Sequence, residues 1–377
     1  MAVAAGACVA SMCYNQPLLG DFAVYFNASA DEVGWVAIAA QSGYALGLLC
    51  FVPLGDIRER RRLLCTLILT CAALMAATAL APSLPWLIVG SFLGSATAIG
   101  AQILMPFAVQ LSRPGAQGHT VGVMITGLVC GLMLGRALGG IVGDLFGWRA
   151  VYGGAALVLV TIAALLHHGL PRHPATLALS YGQVMRSLEQ VLRGQPRMWR
   201  PTLVGACSFA TFTLFWATLS FQMADRFQRG ASEAGLFALI GISGAIAAPR
   251  AGRFADRRGA HWAVMLALGL GLVAFATMGG WLAMAGLLLG AVLMDIGVQS
   301  LQAAEQGGVL SLVPEARSRL NTIFMVARFA GGALGSLIGV TAWTHGGWTW
   351  VCVAGFGLTL LALTIHLVGR RLEAPRR

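Results

Sequence analysis

The chain is dominated by long apolar runs that are separated by short polar loops. A bilayer core of about 30 Å requires about 20 apolar residues of helix, and twelve runs of that kind can be drawn along the sequence. The pattern therefore predicts an all-α polytopic membrane protein with twelve transmembrane helices. The predicted helices cover residues 2–20, 33–53, 63–81, 86–110, 120–143, 147–169, 202–223, 234–251, 261–280, 282–305, 319–343 and 347–369.

The second half of the chain repeats the first half without a gap. Gln102 aligns with Gln302, and Gly147 with Gly347, each at an offset of 200 residues. A repeat of this kind in an apolar chain is typical of transporters that are built from two packed halves. We therefore predict two pseudo-symmetric six-helix halves at residues 1–169 and 201–377, joined by a cytoplasmic linker at residues 170–200.

The composition narrows the possible functions. The chain is 58% hydrophobic and 10% charged, whereas soluble domains average about 25% charged residues. Its net charge is +11, and all 25 basic residues are arginine, so a phosphate-loop lysine and a Schiff-base lysine are excluded. Hydrolytic motifs and clustered metal ligands are absent from the sequence. We expect no enzyme activity, no cofactor, no metal site and no nucleic-acid partner.

The arginines are concentrated on one side of the predicted membrane. The loops after even-numbered helices, the linker and the C-terminal tail hold 20 of them, and the loops after odd-numbered helices hold three. The positive-inside rule then places both termini in the cytoplasm.

Two charged loops carry a family signature. The loop between the predicted eighth and ninth helices reads Gly252-Arg253-Phe254-Ala255-Asp256-Arg257-Arg258-Gly259. It matches the pattern G-x-x-x-D-R-x-G, and the loop between the second and third helices is a weaker match around Asp56. With these loops at corresponding places in its two halves, the chain resembles the major facilitator superfamily over nearly its whole length.

The resemblance implies a cytoplasmic gate in these loops. In that family, the aspartate and arginines of the loop hold the two halves together in the outward-facing state. The matching positions here are Asp56, Arg60, Arg61, Asp256 and Arg257. The alternative is that the arginines only set the orientation of the chain in the membrane.

Glycine recurs every fourth residue in the fifth and eleventh predicted helices. Such a smooth helical face lets another backbone approach closely. The packing glycines are Gly131, Gly135, Gly139, Gly331, Gly335 and Gly339. In the superfamily these two helices meet their counterparts across the interface between the halves. The first set resembles the antiporter signature of proton-driven exporters, with Arg136 in place of a proline.

The tenth predicted helix carries a polar stripe. It consists of Asp295, Gln299, Gln302 and Gln306, which lie on one helical face. Asp295 is placed roughly 20 Å deep at 1.5 Å per residue, where a carboxylate indicates a functional site. Three explanations remain open: a proton or substrate site, a structural ion pair with Arg328 or Arg136, or a misplaced helix boundary.

The resemblance implies that the first, fourth, seventh and tenth helices line a central cavity. The cavity candidates on the first three are Asn15, Gln16, Gln102 and Trp216, and those on or beside the tenth are Asp295, Gln299, Gln302, Arg136 and Arg328. Prolines at 17 and 106 free a backbone carbonyl near Gln16 and at Gln102. Packing against lipid or against neighbouring helices explains the aromatic residues of the seventh helix equally well.

Several runs, including Tyr14-Asn15-Gln16-Pro17, resemble bacterial sugar or drug efflux permeases. We therefore predict a secondary active transporter of a small molecule that works by alternating access, with efflux coupled to proton entry. A facilitator or symporter of the same fold is the alternative, and a polytopic enzyme or receptor is less favoured. The expected partners are the lipid bilayer, a small-molecule substrate and protons, and the protein is expected to be a monomer.

Overall fold

The computed structural model of the chain describes residues 1–113, 116–171, 180–313 and 316–373. Within these residues the protein is helical and has no β-strand. The described helices are α1 Ala2–Cys13, α2 Leu19–Phe26, α3 Ala30–Phe51, α4 Leu54–Ile57, α5 Arg60–Ala79, α6 Leu84–Thr97, α7 Gly100–Gln110, α8 Gln117–Phe146, α9 Trp148–Gly169, α10 Tyr181–Gly194, α11 Trp199–Phe227, α12 Ala231–Leu236, α13 Gly241–Arg258, α14 Ala260–Gly280, α15 Met284–Ser311 and α16 Arg317–Glu373.

Ten of the described segments are long and apolar enough to cross a membrane by length and composition. The helices α6 and α7 together form one of them, Leu84–Gln110. The last, Arg317–Arg371, contains a break in the helical backbone at Gly346 and Gly347. The helix α1 is apolar but shorter than these segments.

The break in α16 occurs at the residue that the repeat predicts. Gly147 separates α8 from α9 with φ +80°, and Gly347 adopts φ +62°. Residues with a side chain rarely adopt positive φ, whereas glycine does so without steric cost. Two glycines 200 positions apart (347 minus 147) therefore make equivalent turns between consecutive helices.

The predicted first helix, residues 2–20, is interrupted after Cys13. The structure has turns from Tyr14 to Leu18, and α2 begins at Leu19. Pro17 has no backbone N–H to donate to the helical ladder. The turn is held instead by hydrogen bonds between residues three positions apart, from Gln16 N to Cys13 O at 3.3 Å and from Leu18 N to Asn15 O at 3.1 Å. The turn therefore brings polar side chains to the end of α1.

The chain divides into two compact units. The first comprises Met1–Met185 and Met223–Leu239, and the second comprises Arg186–Gln222 and Ile240–Arg377. The first unit therefore includes a segment that the sequence repeat assigns to the second half of the chain. The boundaries 1–169, 170–200 and 201–377 stay a prediction.

A carboxylate attaches the segment Met223–Leu239 within the first unit. Asp144, near the end of α8, accepts hydrogen bonds from the backbone N–H groups of Ala231 and Ser232, at 3.2 and 2.7 Å. These groups lie at the start of α12, where backbone donors lack a partner within the helix. A side chain on Gly140 would overlap the carbonyl oxygen of Ala231, so the two backbones are in direct contact.

The glycine face of α8 packs against α1 within the first unit. A Cβ atom on Gly131 would overlap the backbone of Gly6, and one on Gly135 would lie 2.8 Å from Ala10 Cα. A Cβ atom on Gly139 would lie 3.4 Å from the ring of Tyr14. Every fourth residue of α8 therefore makes room for the next turn of α1.

The second unit repeats this contact between α16 and α11. The positions of Gly331, Gly335 and Gly339 leave no room for a Cβ atom, because the backbone at Ala206, Ala210 and Leu214 lies against them. The glycine face is thus covered by α1 in the first unit and by residues 206–214 of α11 in the second. The sequence expectation, a contact of these two helices with their counterparts across the halves, stays a prediction. Periodicity identifies the smooth face but not its partner.

We predict that Gly131→Ala destabilises the protein by at least the 1–3 kcal/mol that is typical of overpacking, because only backbone atoms of α1 can move aside. The matched control is Gly153→Ala in α9, where a Cβ atom would meet nothing within 4 Å. Relief of the helical glycine penalty is expected to make that control stabilising by about 0.5–1 kcal/mol. The measurement is the free energy of unfolding in detergent, and equal effects of the two changes would contradict the assignment.

Two carboxyl groups approach each other where α2 passes the end of α8. Gly143 of α8 lies beside Asp21, whose carboxylate oxygen would be 3.7 Å from a Cβ atom at that glycine. Partial burial, with the neighbouring Asp144 carboxylate as a second cause, raises the pKa of Asp21 to about 6. The folded protein therefore binds a proton at Asp21 more readily than the unfolded chain does.

A raised carboxyl pKa predicts that acidification stabilises the fold through Asp21. Between the ordinary aspartate pKa of 3.8 and the folded value of about 6, the folded state holds more protons than the unfolded state, so this contribution grows as the pH falls from 7 towards 4. We expect the melting temperature of the wild type to rise relative to that of Asp21→Asn as the pH is lowered from 7 to 5. Parallel melting profiles of the two proteins would contradict the prediction.

Candidate functional site

The turn after α1 brings two of the predicted cavity residues to buried positions. Asn15 and Gln16 are 5% and 4% exposed. The Oδ1 atom of Asn15 has no hydrogen-bond partner among the residues that the structure describes. A buried amide oxygen without a partner is costly, so this position offers an acceptor to a bound molecule.

Gln16 is bound to a second predicted residue, Arg136. The Nε atom of Arg136 donates a hydrogen bond of 2.6 Å to Gln16 Oε1. Arg136 is 2% exposed and belongs to α8 of the same unit. The residue that departs from the antiporter signature is thus held by a charge-assisted bond, which is stronger than a bond between neutral groups.

The third predicted residue of the first unit lies on α7. Gln102 is hydrogen-bonded to the buried side chain of Tyr44 on α3. Pro106 lies inside α7, four residues after Gln102, so the carbonyl of Gln102 lacks the usual helical donor. This arrangement agrees with the expected free carbonyl.

Asp295 lies in the second unit and is 5% exposed. Its Oδ2 atom accepts a hydrogen bond of 3.0 Å from the backbone N–H of Gly244 in α13. A side chain at Gly244 would overlap this carboxylate and the side chain of Gln299. The absence of a side chain at this glycine therefore provides the space that both groups occupy. Asp295 and Arg328 do not form a salt bridge with each other.

The rest of the polar stripe is continued by hydrogen bonds. Gln302 Nε2 donates to Gln306 Oε1 at 3.4 Å, and Gln306 Nε2 donates to Asn321 Oδ1 at 2.7 Å. Asn321 lies in α16, so the stripe of α15 connects to the next helix. The part of the stripe from Gln302 to Gln306 is therefore hydrogen-bonded to α16.

The second buried arginine of the predicted set lies over one ring of an aromatic row on α11. The guanidinium carbon of Arg328 lies 4.3 Å from the ring centre of Phe209. Phe209 stacks on Phe212 with 5.5 Å between ring centres, and Phe212 contacts Trp216 at 6.0 Å. Trp216 is 6% exposed, so in the second unit these rings pack inside the protein.

The predicted gate residues of the first unit bind neighbouring helices. Arg60 is buried, and it donates from Nε to Gly55 O at 2.9 Å and from Nη1 to Gln110 Oε1 at 2.5 Å. Arg61 donates to the carbonyl oxygens of His167 and Leu170, both at 3.1 Å. The side chain of Asp56 lies outside what the structure describes.

The corresponding residues of the second unit are more exposed. Asp256 and Arg257 both point to the surface at the end of α13. Arg257 lines an open cavity of about 460 Å³ together with Arg250, Arg253, Phe254 and Arg258. The two loops therefore share their sequence pattern but differ in the environment of their charged groups.

The family model described as Major Facilitator Superfamily matches residues 1–278 and 201–377. This chain belongs to the Major Facilitator Superfamily. It is 37% identical over 367 residues to the "Uncharacterized transporter YgaY" of Escherichia coli O157:H7, with 97% of this chain and 93% of that protein covered.

Two further comparisons agree with this membership. The chain is 26% identical over 358 residues to the "Probable sugar efflux transporter" of Helicobacter pylori strain G27, covering 92% of this chain and 88% of that protein. It has the fold of a bacterial homolog to the human lysosomal transporter Spinster, solved in an inward-facing and occupied conformation, with a TM-score of 0.75, 14% identity and coverage of 98% and 95%. The protein is therefore a polytopic membrane transporter and not an enzyme.

The structure of this Major Facilitator Superfamily member also contains an ionisable cluster that the sequence analysis missed. His366 is 1% exposed, and its Nε2 atom lies 2.9 Å from His261 Nδ1. Arg200 Nη1 lies 3.3 Å from His366 Nδ1, and Glu305 Oε1 lies 3.8 Å from the same atom. The four residues come from four helices of the second unit. Only Glu305 is conspicuous in the sequence, because it is a second acidic residue in the apolar tenth predicted helix.

The arginine fixes the tautomer of the two histidines. A guanidinium can only donate hydrogen bonds, so Nδ1 of His366 accepts from Arg200. The proton of His366 then lies on Nε2 and is donated to Nδ1 of His261. In this arrangement both imidazole rings are neutral, and their planes are nearly parallel, with an interplanar angle of 8°. The cluster thereby connects α11, α14 and α16.

We predict that Gln16 and Arg136 are energetically coupled. In a double-mutant cycle with Gln16→Leu and Arg136→Leu, the interaction term in the free energy of unfolding is expected to be about 1.5–3 kcal/mol, the range for hydrogen bonds to charged groups. Arg149 provides the control, because it donates to Ala81 O and packs on Trp148 instead. The cycle of Gln16→Leu with Arg149→Leu should be additive. A coupling no larger than that of the control pair would contradict the assignment.

Proposed function

We propose that this transporter exports a small molecule in exchange for protons, by alternating access. The proposal rests on Asp295, an acidic side chain buried in the apolar segment Met284–Ser311. Ionisable groups are costly within a membrane segment, and those that are retained there mark substrate or proton pathways. A carboxyl group can carry a single proton and exchange it, which is what coupling requires.

The surroundings of Asp295 support a role beyond packing. Its hydrogen-bond donor is the backbone N–H of Gly244, and a backbone donor stays in place whether or not the carboxyl group is protonated. The neighbouring stripe of glutamines leads away from it along α15. Polar side chains at this spacing can conduct water and protons to a buried acid.

The direction of transport is inferred from two similarities. The glycine face of α8 resembles the antiporter signature of proton-driven exporters, although Arg136 replaces the proline of that signature. The relative from Helicobacter pylori is named as a sugar efflux transporter. Both favour export, driven by the pH gradient and by about 2.3 kcal/mol per charge for each 100 mV of membrane potential.

The proposed arrangement in the membrane has twelve transmembrane helices in two six-helix halves. The ten candidate segments, the break at Gly347 and the short apolar helix α1 are compatible with that number. The arginine distribution supports cytoplasmic termini, and we propose that a monomer acts in the bacterial inner membrane. The charged loops at Asp56 and Asp256 would then act as the cytoplasmic gate.

The coupling role predicts a specific defect for Asp295→Asn. In liposomes that contain a pH-sensitive dye, with labelled monosaccharides and disaccharides as probes, we expect substrate-driven proton movement to fall at least tenfold. Exchange of labelled for unlabelled substrate requires no net proton movement, so it should persist. Asp225→Asn, which changes an exposed acid, is the control and should behave like the wild type.

The same assay separates the alternatives. A facilitator would move substrate without any change of internal pH, and a symporter would move substrate and protons in the same direction. Undiminished proton movement by Asp295→Asn would contradict the coupling role of this residue.

A further inference from the structure

Arg328 is a buried cation within an apolar segment. The residue lies in α16, before the break at Gly346, and is 3% exposed. A buried charge is strongly disfavoured unless a counter-charge or hydrogen-bond acceptors compensate it. The groups that surround its guanidinium therefore indicate what the residue is for.

The surroundings of Arg328 are aromatic. The Phe209 ring lies under the guanidinium carbon at 4.3 Å. Phe329 packs edge-on against Phe209 at 5.0 Å, and Phe212 stacks on Phe209 at 5.5 Å. An aromatic face attracts a cation, but it does not accept the in-plane hydrogen bonds that the N–H groups of a guanidinium form.

The guanidinium keeps an unused hydrogen-bond donor. Its Nη1 atom is buried and has no hydrogen-bond partner in the part of the chain that the structure describes. No salt bridge joins Arg328 to an acidic side chain among the same residues. A buried donor without an acceptor is destabilising, so this position favours the arrival of an acceptor, above all a negatively charged one.

The other buried arginines differ in this respect. Arg60 donates to Gly55 O and Gln110, and Arg136 donates to Gln16. The residue equivalent to Arg328 in the first half is Leu128, so the repeated fold forms without a cation at this position. Packing therefore does not explain why an arginine is present here.

We propose that Arg328 binds the carboxylate of the transported molecule, and that the substrate is an organic monoanion with an apolar or aromatic body. A planar guanidinium pairs with a carboxylate through two parallel hydrogen bonds. A single arginine compensates a single charge, which favours a carboxylate over a doubly charged phosphate. Phe209 and Phe212 would contact the apolar body. The inference rests on the proposed transport function and specifies its substrate class.

The test compares two probes of nearly the same shape, one negatively charged and one neutral. Binding of 2-naphthoate and of its neutral amide, 2-naphthamide, is measured by calorimetry on the full-length protein in lipid nanodiscs. We expect the wild type to bind the carboxylate at least tenfold more tightly than the amide. Arg328→Gln should abolish this preference, and Arg328→Lys should keep part of it, because a lysine supplies the charge without the planar fork.

Arg149→Gln is the matched control. Arg149 also lies over aromatic rings, at 4.6 Å from Tyr25 and 4.2 Å from Trp148, but its Nη2 atom donates to Ala81 O. The preference for the carboxylate should survive this change. If the control loses the preference as Arg328→Gln does, the preference reflects the overall positive charge of the protein, and the proposal is overturned.

The wild type alone can overturn the proposal even if the variants fail to fold. Equal affinity for the two probes, or tighter binding of the amide, would mean that Arg328 is satisfied by a water molecule and does not select an anion. The result is separable from that of the transport assay. Transport of a neutral sugar with no carboxylate preference would refute this inference alone, whereas carboxylate binding without transport of either the sugars or labelled 2-naphthoate would refute the proposed function alone.

Discussion

Direct contact between helix backbones is the constraint on which the rest of the structure depends. In a lipid environment, burying apolar side chains gives helices no reason to associate, because the lipid is equally apolar. Association instead requires close packing, and glycine at every fourth residue of α8 and α16 provides it against α1 and α11. Each unit thereby contains a pair of helices whose backbones are in van der Waals contact.

The glycine contacts also position the polar groups. In the first unit, Gly135 lies against Ala10, and the turn that follows α1 carries Gln16 to Arg136, the next residue of α8. In the second unit, a Cβ atom at Gly332 would lie 2.9 Å from the ring of Phe209. Gly332 is one helical turn after Arg328, so the missing side chain admits the ring that the guanidinium covers. Packing and site geometry thus have a common origin.

The sequence was informative wherever local chemistry or the repeat determines the structure. The apolar runs indicate helices, and the repeat places equivalent turns at Gly147 and Gly347. The spacing of the glycines identified the glycine faces but not the helices that pack against them. The sequence also placed polar residues on α15 without their partners, since the bond between Asp295 and Gly244 depends on how α13 packs. The cluster around His366 draws on four helices that no sequence spacing relates.

The differences between the two halves carry the functional information. Both halves use the same helix contact, so a charge that one half has and the other lacks is not needed for that contact. Arg136 and Arg328 are two such charges, with Ser336 and Leu128 at the equivalent positions. Arg136 is bound by a glutamine of its own unit, and this bond holds the turn after α1 in place. Arg328 keeps a donor without an acceptor against an aromatic surface. A duplicated scaffold therefore supplies one arginine for structure and leaves another for a ligand.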